Sequence, residues 1–161
     1  GCGEKGDFEK AINAKIGQNK YCFSLDNNNT SFPIRLAKPR FDQTGTGTNS
    51  VILDGFVEQG LMVFEQGYDS NVLGITEEGK KAKVWSTTDG ACVGRRAVDE
   101  IKEWTEPGNG GQKVVRVSYT WKLTNVPSWI DKKAFANVKG MNEPADSAIN
   151  LFKTSNGWKA N

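Results

Sequence analysis

The stretch that decides the fold is Val114-Val115-Arg116-Val117-Ser118-Tyr119-Thr120-Trp121-Lys122-Leu123-Thr124. Val115, Val117, Tyr119, Trp121 and Leu123 fall on one side of an extended chain, and Arg116, Ser118, Thr120, Lys122 and Thr124 on the other. A strand with one apolar and one wet face belongs to an antiparallel sheet, because parallel strands are covered on both faces. Upstream, Glu106-Pro107-Gly108-Asn109-Gly110-Gly111 is turn chemistry suited to joining antiparallel neighbours, so residues 95–105 are the hairpin partner. Downstream, Pro127 ends the strand, and Trp129 to Val138 has the spacing of a short helix. Ala148–Thr154, the turn at Asn156-Gly157 and Trp158–Ala160 close the sheet as a last hairpin.

The first half is helical in pattern. Phe8, Ala11, Ile12 and Ile16 form one apolar stripe over Asp7 to Gln18, with Asp7 as N-cap and Gly17 at the exit. A polar turn at Asp26–Thr30 precedes the extended run Phe32–Leu36. Gln43 to Asn49 is a Gly-rich loop whose Gly45 and Gly47 match half a phosphate-binding fingerprint; without a Walker lysine or a strand-to-helix setting, phosphate binding is set aside. A second helix runs from Asn49 and leaves through Gln59-Gly60. The short strands Leu61–Phe64 and Asn71–Ile75 follow, and Thr76-Glu77-Glu78 opens a helix to Lys83 with acids in its first turn.

Helix, Gly-Leu step, two strands and "ITEEGKKA" over residues 49–83 resemble a winged-helix unit. Many winged helices read DNA through a basic helix in the major groove. Here that helix carries Asp54 and Glu58 and neither Lys nor Arg, so a nucleic-acid partner is not expected. The expected fold is α+β: a winged-helix-like N-terminal part packed with a C-terminal antiparallel sheet of about four strands. Residues 1–6 are expected as a tether, 7–84 as the helical part and 85–161 as the β part with one short helix, together forming one compact unit.

Composition narrows the chemistry. The 161 residues are 37% hydrophobic and 10% aromatic, enough for a packed interior. Net charge is +2; residues 1–91 hold 10 basic and 12 acidic side chains, and residues 92–161 hold 11 and 7. That balance does not mark a nucleic-acid or anionic-membrane surface. There is no histidine, which removes Ser-His-Asp and Cys-His nucleophile activation and every His-containing metal site. No Cys-x-x-Cys pair occurs, so neither a metal site nor a cofactor is implied.

Cys2, between Gly1 and Gly3 and ahead of a short polar run, resembles the lipid-bearing cysteine of a processed bacterial lipoprotein. Assigning it to a lipid leaves Cys22 and Cys92, which pair in an oxidising compartment or stay as two buried thiols. The order of motifs as a whole also resembles a family of uncharacterised proteobacterial lipoproteins, through Cys92, Gly94, Trp104–Pro107, Tyr119–Leu123, Gly157 and Trp158. The resemblance implies a periplasm-facing, lipid-anchored location (the outer membrane favoured) and carries over no catalytic residue.

Candidate binding residues are Arg95 and Arg96, whose guanidinium groups match carboxylate or phosphate oxygens, and Trp129 and Trp158, which lie beside loops. On adjacent strand positions the two arginines point to opposite faces, so only one serves a given site. Trp121 belongs to the core by its alternation. The function expected is a non-enzymatic interaction or accessory domain held at the membrane by a lipid, facing an envelope protein or the cell wall. The alternatives are a carboxylate-dependent enzyme on envelope glycans, using acids such as Glu100, Glu103 and Glu106, and a winged-helix nucleic-acid binder.

Overall fold

The computed structural model describes residues 2–24, 31–37, 48–105 and 113–161. The expected turns at 26–30 and 106–111, and the Gly45/Gly47 loop, lie outside the described residues. The chain is α+β and divides into two compact units that interleave in sequence. One gathers Gly1–Lys20, Gly94–Val126 and Lys139–Asn161, and the other Tyr21–Val93 and Pro127–Val138. This differs from the contiguous division expected at residue 84. The long strands that complete the first unit are supplied from the far end of the chain, which local composition does not reveal.

The first unit is a helix on a four-stranded antiparallel sheet. Helix α1 (Cys2–Ile16) packs Phe8, Ala11, Ile12 and Ile16 into the interior, the stripe read from the sequence. It begins at Cys2 and not at Asp7, so the run expected as an extended tether is helical, although residues 3–7 are exposed. Strands β6 (Arg95–Trp104), β7 (Val114–Thr124), β8 (Ala145–Thr154) and β9 (Gly157–Ala160) lie in sequential order. On β7 the expected face is buried: Val115, Val117, Tyr119, Trp121 and Leu123 are all core residues. β6 slips register between Val98 and Glu100 and again between Ile101 and Glu103. Such bulges bend a strand and raise its twist, which curls the sheet. The Asn13 side chain accepts the Val98 N–H at 2.8 Å beside the first bulge, tying α1 to the sheet there.

Gly94 leads into β6 with φ +133°, and a Cβ there meets the Thr124 carbonyl oxygen at 2.4 Å. Both the backbone region and the close approach require glycine. Gly94→Ala is expected to cost about 2 kcal/mol or more, read as a lower urea midpoint at unchanged slope.

The second unit holds two small sheets. β1 (Cys22–Phe23) pairs with β5 (Ala91–Cys92), and β2 (Ile34–Ala37), β4 (Ser70–Ile75) and β3 (Met62–Gln66) form a three-stranded antiparallel sheet in the order β2-β4-β3. Helix α2 (Thr48–Glu58) precedes β3, and α3 (Glu77–Ala82) follows β4. Thr76 caps α3 as expected, its hydroxyl oxygen accepting the Gly79 N–H at 3.1 Å.

Trp129 to Val138 is not the short helix that the spacing suggested. It is a chain of turns with i→i+3 bonds such as Ala134 N to Asp131 O and Val138 N to Phe135 O. Long-range contacts override the local pattern. The Gln59 side chain donates to the Trp129 carbonyl and accepts the Asp131 N–H at 2.9 Å. Phe135 meanwhile presses so close to α2 that a Cβ at Gly55 would lie 2.5 Å from its ring.

The pieces expected over 49–83 are present, but a winged-helix unit is not established. α1 belongs to the other unit, and residues 38–47 lie outside the described set.

Candidate functional site

In the first unit a cleft of about 500 Å³ opens between α1 and the β8–β9 hairpin. Its first wall is Asp7, Lys10, Ala11, Ala14 and Lys15, which share one side of α1, continued by Gln18 just past the helix end. Ala11 and Ala14 put only methyl groups into that wall, and this leaves the cleft its depth. The opposite wall is Lys153, Asn156, Gly157, Trp158, Lys159 and Ala160.

The hairpin wall is set by local chemistry. Thr154 and Gly157 form the closing pair of a two-residue turn, in which Thr154 Oγ1 donates to the Gly157 carbonyl at 2.7 Å and accepts the Asn156 N–H at 3.1 Å. Gly157 takes φ +98°. Lys153 and Trp158 are directly opposed, and the lysine Nζ sits 5.1 Å from the indole centroid, a cation–π contact. From behind, Phe8 meets the Trp158 ring edge-on at 5.4 Å and the Trp104 ring at 5.2 Å, so the indole is held in place.

Electrostatically the cleft is lopsided. Four of its residues are lysines (Lys10, Lys15, Lys153 and Lys159) against one carboxylate, Asp7, and none of the four joins an ion pair among the described residues. An anionic ligand with an apolar or planar part suits this combination of ammonium groups and indole.

Of the binding residues named from the sequence, Trp158 lies in the cleft. Arg95 is engaged elsewhere: its guanidinium donates to the carbonyls of Gly17 and Gln18 at 2.9 and 3.1 Å, closing the C-terminal end of α1. Arg96 lies over the Trp121 ring at 5.6 Å. Trp129 belongs to the second unit, stacked on Phe56 at 5.5 Å and edge-on to Phe135. Glu100 and Glu103 pair across the ladder with Thr120 and Ser118, on the face of β7 away from its apolar row, and Glu100 bonds Lys102 at 3.1 Å.

Cys22 and Cys92 form a disulfide. They are register partners in the β1–β5 ladder, so the strand pairing itself sets the two sulfurs facing each other.

Sequence reasoning missed Lys10, Lys15, Lys153 and Lys159. As separate residues they read as solvated helix and strand charges, and only the packing of α1 beside β9 gathers them. The available signal was Ala11 and Ala14 set between Lys10 and Lys15, a small-residue strip at the border of the apolar stripe. Comparison of the chain with protein-family models, with curated proteins and with solved structures finds no match in any of the three.

Proposed function

We propose that this chain is a lipid-anchored bacterial envelope protein, facing the periplasm, whose folded part is a non-enzymatic binding module that works through the basic cleft. The observation that carries the reading is the Cys22–Cys92 disulfide, which suits an oxidising compartment and leaves Cys2 as the remaining thiol of the three. No helix among the described residues is long and apolar enough to cross a membrane, so a lipid on Cys2 is the attachment this reading uses.

With α1 starting at Cys2, the step from anchor to Asp7 rises about 7.5 Å as helix, where an extended tether reaches about 17 Å. Residues 3–7 are exposed and Phe8 after them is buried, so this stretch of the helix stands clear of the core as a short spacer.

The cleft favours binding over catalysis. A glycan hydrolase of the two-carboxylate kind needs a second acid across the groove from Asp7, and the cleft lining supplies lysines there. The winged-helix-like reading of 49–83 stands as part of the proposal, supported by the succession of α2, the antiparallel β3–β4 pair and α3. α2 carries Asp54 and Glu58 without Lys or Arg, so it is read as scaffold and not as a DNA-reading helix.

Expression from the native gene followed by membrane fractionation tests the anchor. The wild-type protein is expected in the membrane fraction with a lipid mass on its N-terminal peptide, and Cys2→Ser is expected in the soluble envelope fraction. Recovery of unmodified protein from the cytoplasm with Cys22 and Cys92 reduced overturns the reading.

A further inference from the structure

We propose that the α1–β9 cleft takes an extended acidic peptide segment, which adds to β9 as a fifth strand of the sheet. The inference rests on reading this cleft as a binding site and is independent of the lipid anchor.

The register of the β8–β9 hairpin supplies the main argument. Residues directly opposed in an antiparallel pair alternate between exchanging both backbone hydrogen bonds and exchanging none. The turn closes on Thr154 and Gly157, so Gly157 and Lys159 bond across to Thr154 and Phe152. Trp158 and Ala160 therefore turn their N–H and C=O groups away from β8. The Lys153 N–H agrees with this assignment, since it bonds to the Lys113 carbonyl at 3.0 Å on the other side of β8. Among the described residues β9 is the edge of the sheet, and its outward backbone groups form a short template for another strand.

The cleft follows that edge. Trp158 and Ala160 lie on one face of the pleat and Gly157 and Lys159 on the other, yet all four line it. Four residues of strand span about 13 Å, enough for four or more residues of a ligand chain. Across from the edge, α1 presents Lys10 and Lys15, while Lys153 stands over the Trp158 ring. Alternate side chains of an added strand face this wall, and carboxylates are the complement of its ammonium groups. An anionic headgroup or glycan matches the lysines but leaves the outward N–H and C=O groups of Trp158 and Ala160 unmet; a polypeptide meets both.

The test uses the full 161-residue chain and the capped hexapeptide Ac-Glu-Val-Glu-Val-Glu-Val-NH2, followed by Trp fluorescence and amide NMR. Saturable binding with a dissociation constant below about 1 mM is expected, together with slowed hydrogen exchange at the Trp158 and Ala160 amides. The same peptide with Lys for Glu is expected not to bind. Lys10→Gln with Lys153→Gln, both exposed positions, is expected to weaken binding about five- to tenfold, with a smaller loss at high salt. Ala160→Pro removes one outward N–H from an edge position where proline is tolerated, and is expected to abolish binding while leaving thermal unfolding nearly unchanged. Alternate N-methylation of the peptide separates strand addition from charge alone without altering the protein, and equal binding of the methylated peptide overturns the proposal. Absence of peptide binding overturns it as well. So does a cleft that binds phosphatidylglycerol vesicles or inorganic phosphate in place of the peptide.

Discussion

Phe8→Ala is expected to remove about 3–5 kcal/mol from the stability of the helix-on-sheet unit. Phe8 is 1% exposed, and its ring meets Trp104 of β6 and Trp158 of β9, the two edge strands of the sheet. Truncation deletes two edge-to-face aromatic contacts and opens a cavity whose walls are anchored in separate strands, so they cannot close over it together. Urea unfolding is the measurement, with Phe8→Leu expected to recover a large part of the loss because it refills most of the volume. A second consequence separates this residue from an ordinary core position. Trp158 leans on Phe8, so the near-ultraviolet circular dichroism of the folded variant is expected to weaken and its affinity for acidic peptide to fall. A cost below about 1 kcal/mol would show that the ring does not bridge the two edges.

The second large effect is expected in the other unit on removing the Cys22–Cys92 bridge. The cysteines are 70 residues apart in sequence, and the loop-closure model gives about 4 kcal/mol for a ring of that size. The sheet they join consists of two residue pairs, Cys22↔Cys92 and Phe23↔Ala91, extended by the Val93 N–H to the Tyr21 carbonyl at 2.9 Å. So small a ladder has little hydrogen bonding of its own to hold it closed. It brings Phe23, Ala91 and Val93 into the core. Loss of the bridge is therefore expected to release these side chains as well as to free the loop. The double variant Cys22→Ser/Cys92→Ser, and wild type in reductant, are expected to unfold at clearly lower urea concentration while Gly94→Ala shifts the midpoint by a smaller amount. Equal stability of the oxidised and reduced wild type would remove the bridge from the account of this unit.

Much of the local structure was legible in the residues. The alternation at 114–124 predicts β7 and its buried face, and the turn chemistry around Asn156 predicts the closing hairpin. Thr76-Glu77-Glu78 predicts the start of α3, because a cap needs only its own side chain and the next three residues. Spacing failed where long-range contacts outweigh propensity. Residues 129–138 have a helical pattern, yet Gln59 holds the backbone at both Trp129 and Asp131 from the end of α2. Asp7 has cap chemistry, but the helix continues back to Cys2 through Gly3 and Gly6, the stretch that the lipoprotein resemblance implies as a tether.

The candidate site was legible only at Trp158. Lys10 and Lys153 are 143 positions apart, and neither differs from an ordinary solvated lysine until α1 is laid beside β9. Arg95, the more conspicuous residue in the sequence, is spent on the end of α1. The sequence by itself determined the long strands β6, β7 and β8, the Asn156-Gly157 turn, the helix stripe and the chemistry ruled out by the absence of histidine. These depend on neighbours within a few residues, where alternation, capping and φ preference act. Tertiary structure alone decided which segments share a unit, how the two cysteines face each other, and that four scattered lysines and one indole line a single cleft along an open strand edge. Those outcomes follow from burying the faces of α1 and the sheet against each other, a free energy that is summed over the whole fold and is not written in any short stretch of it.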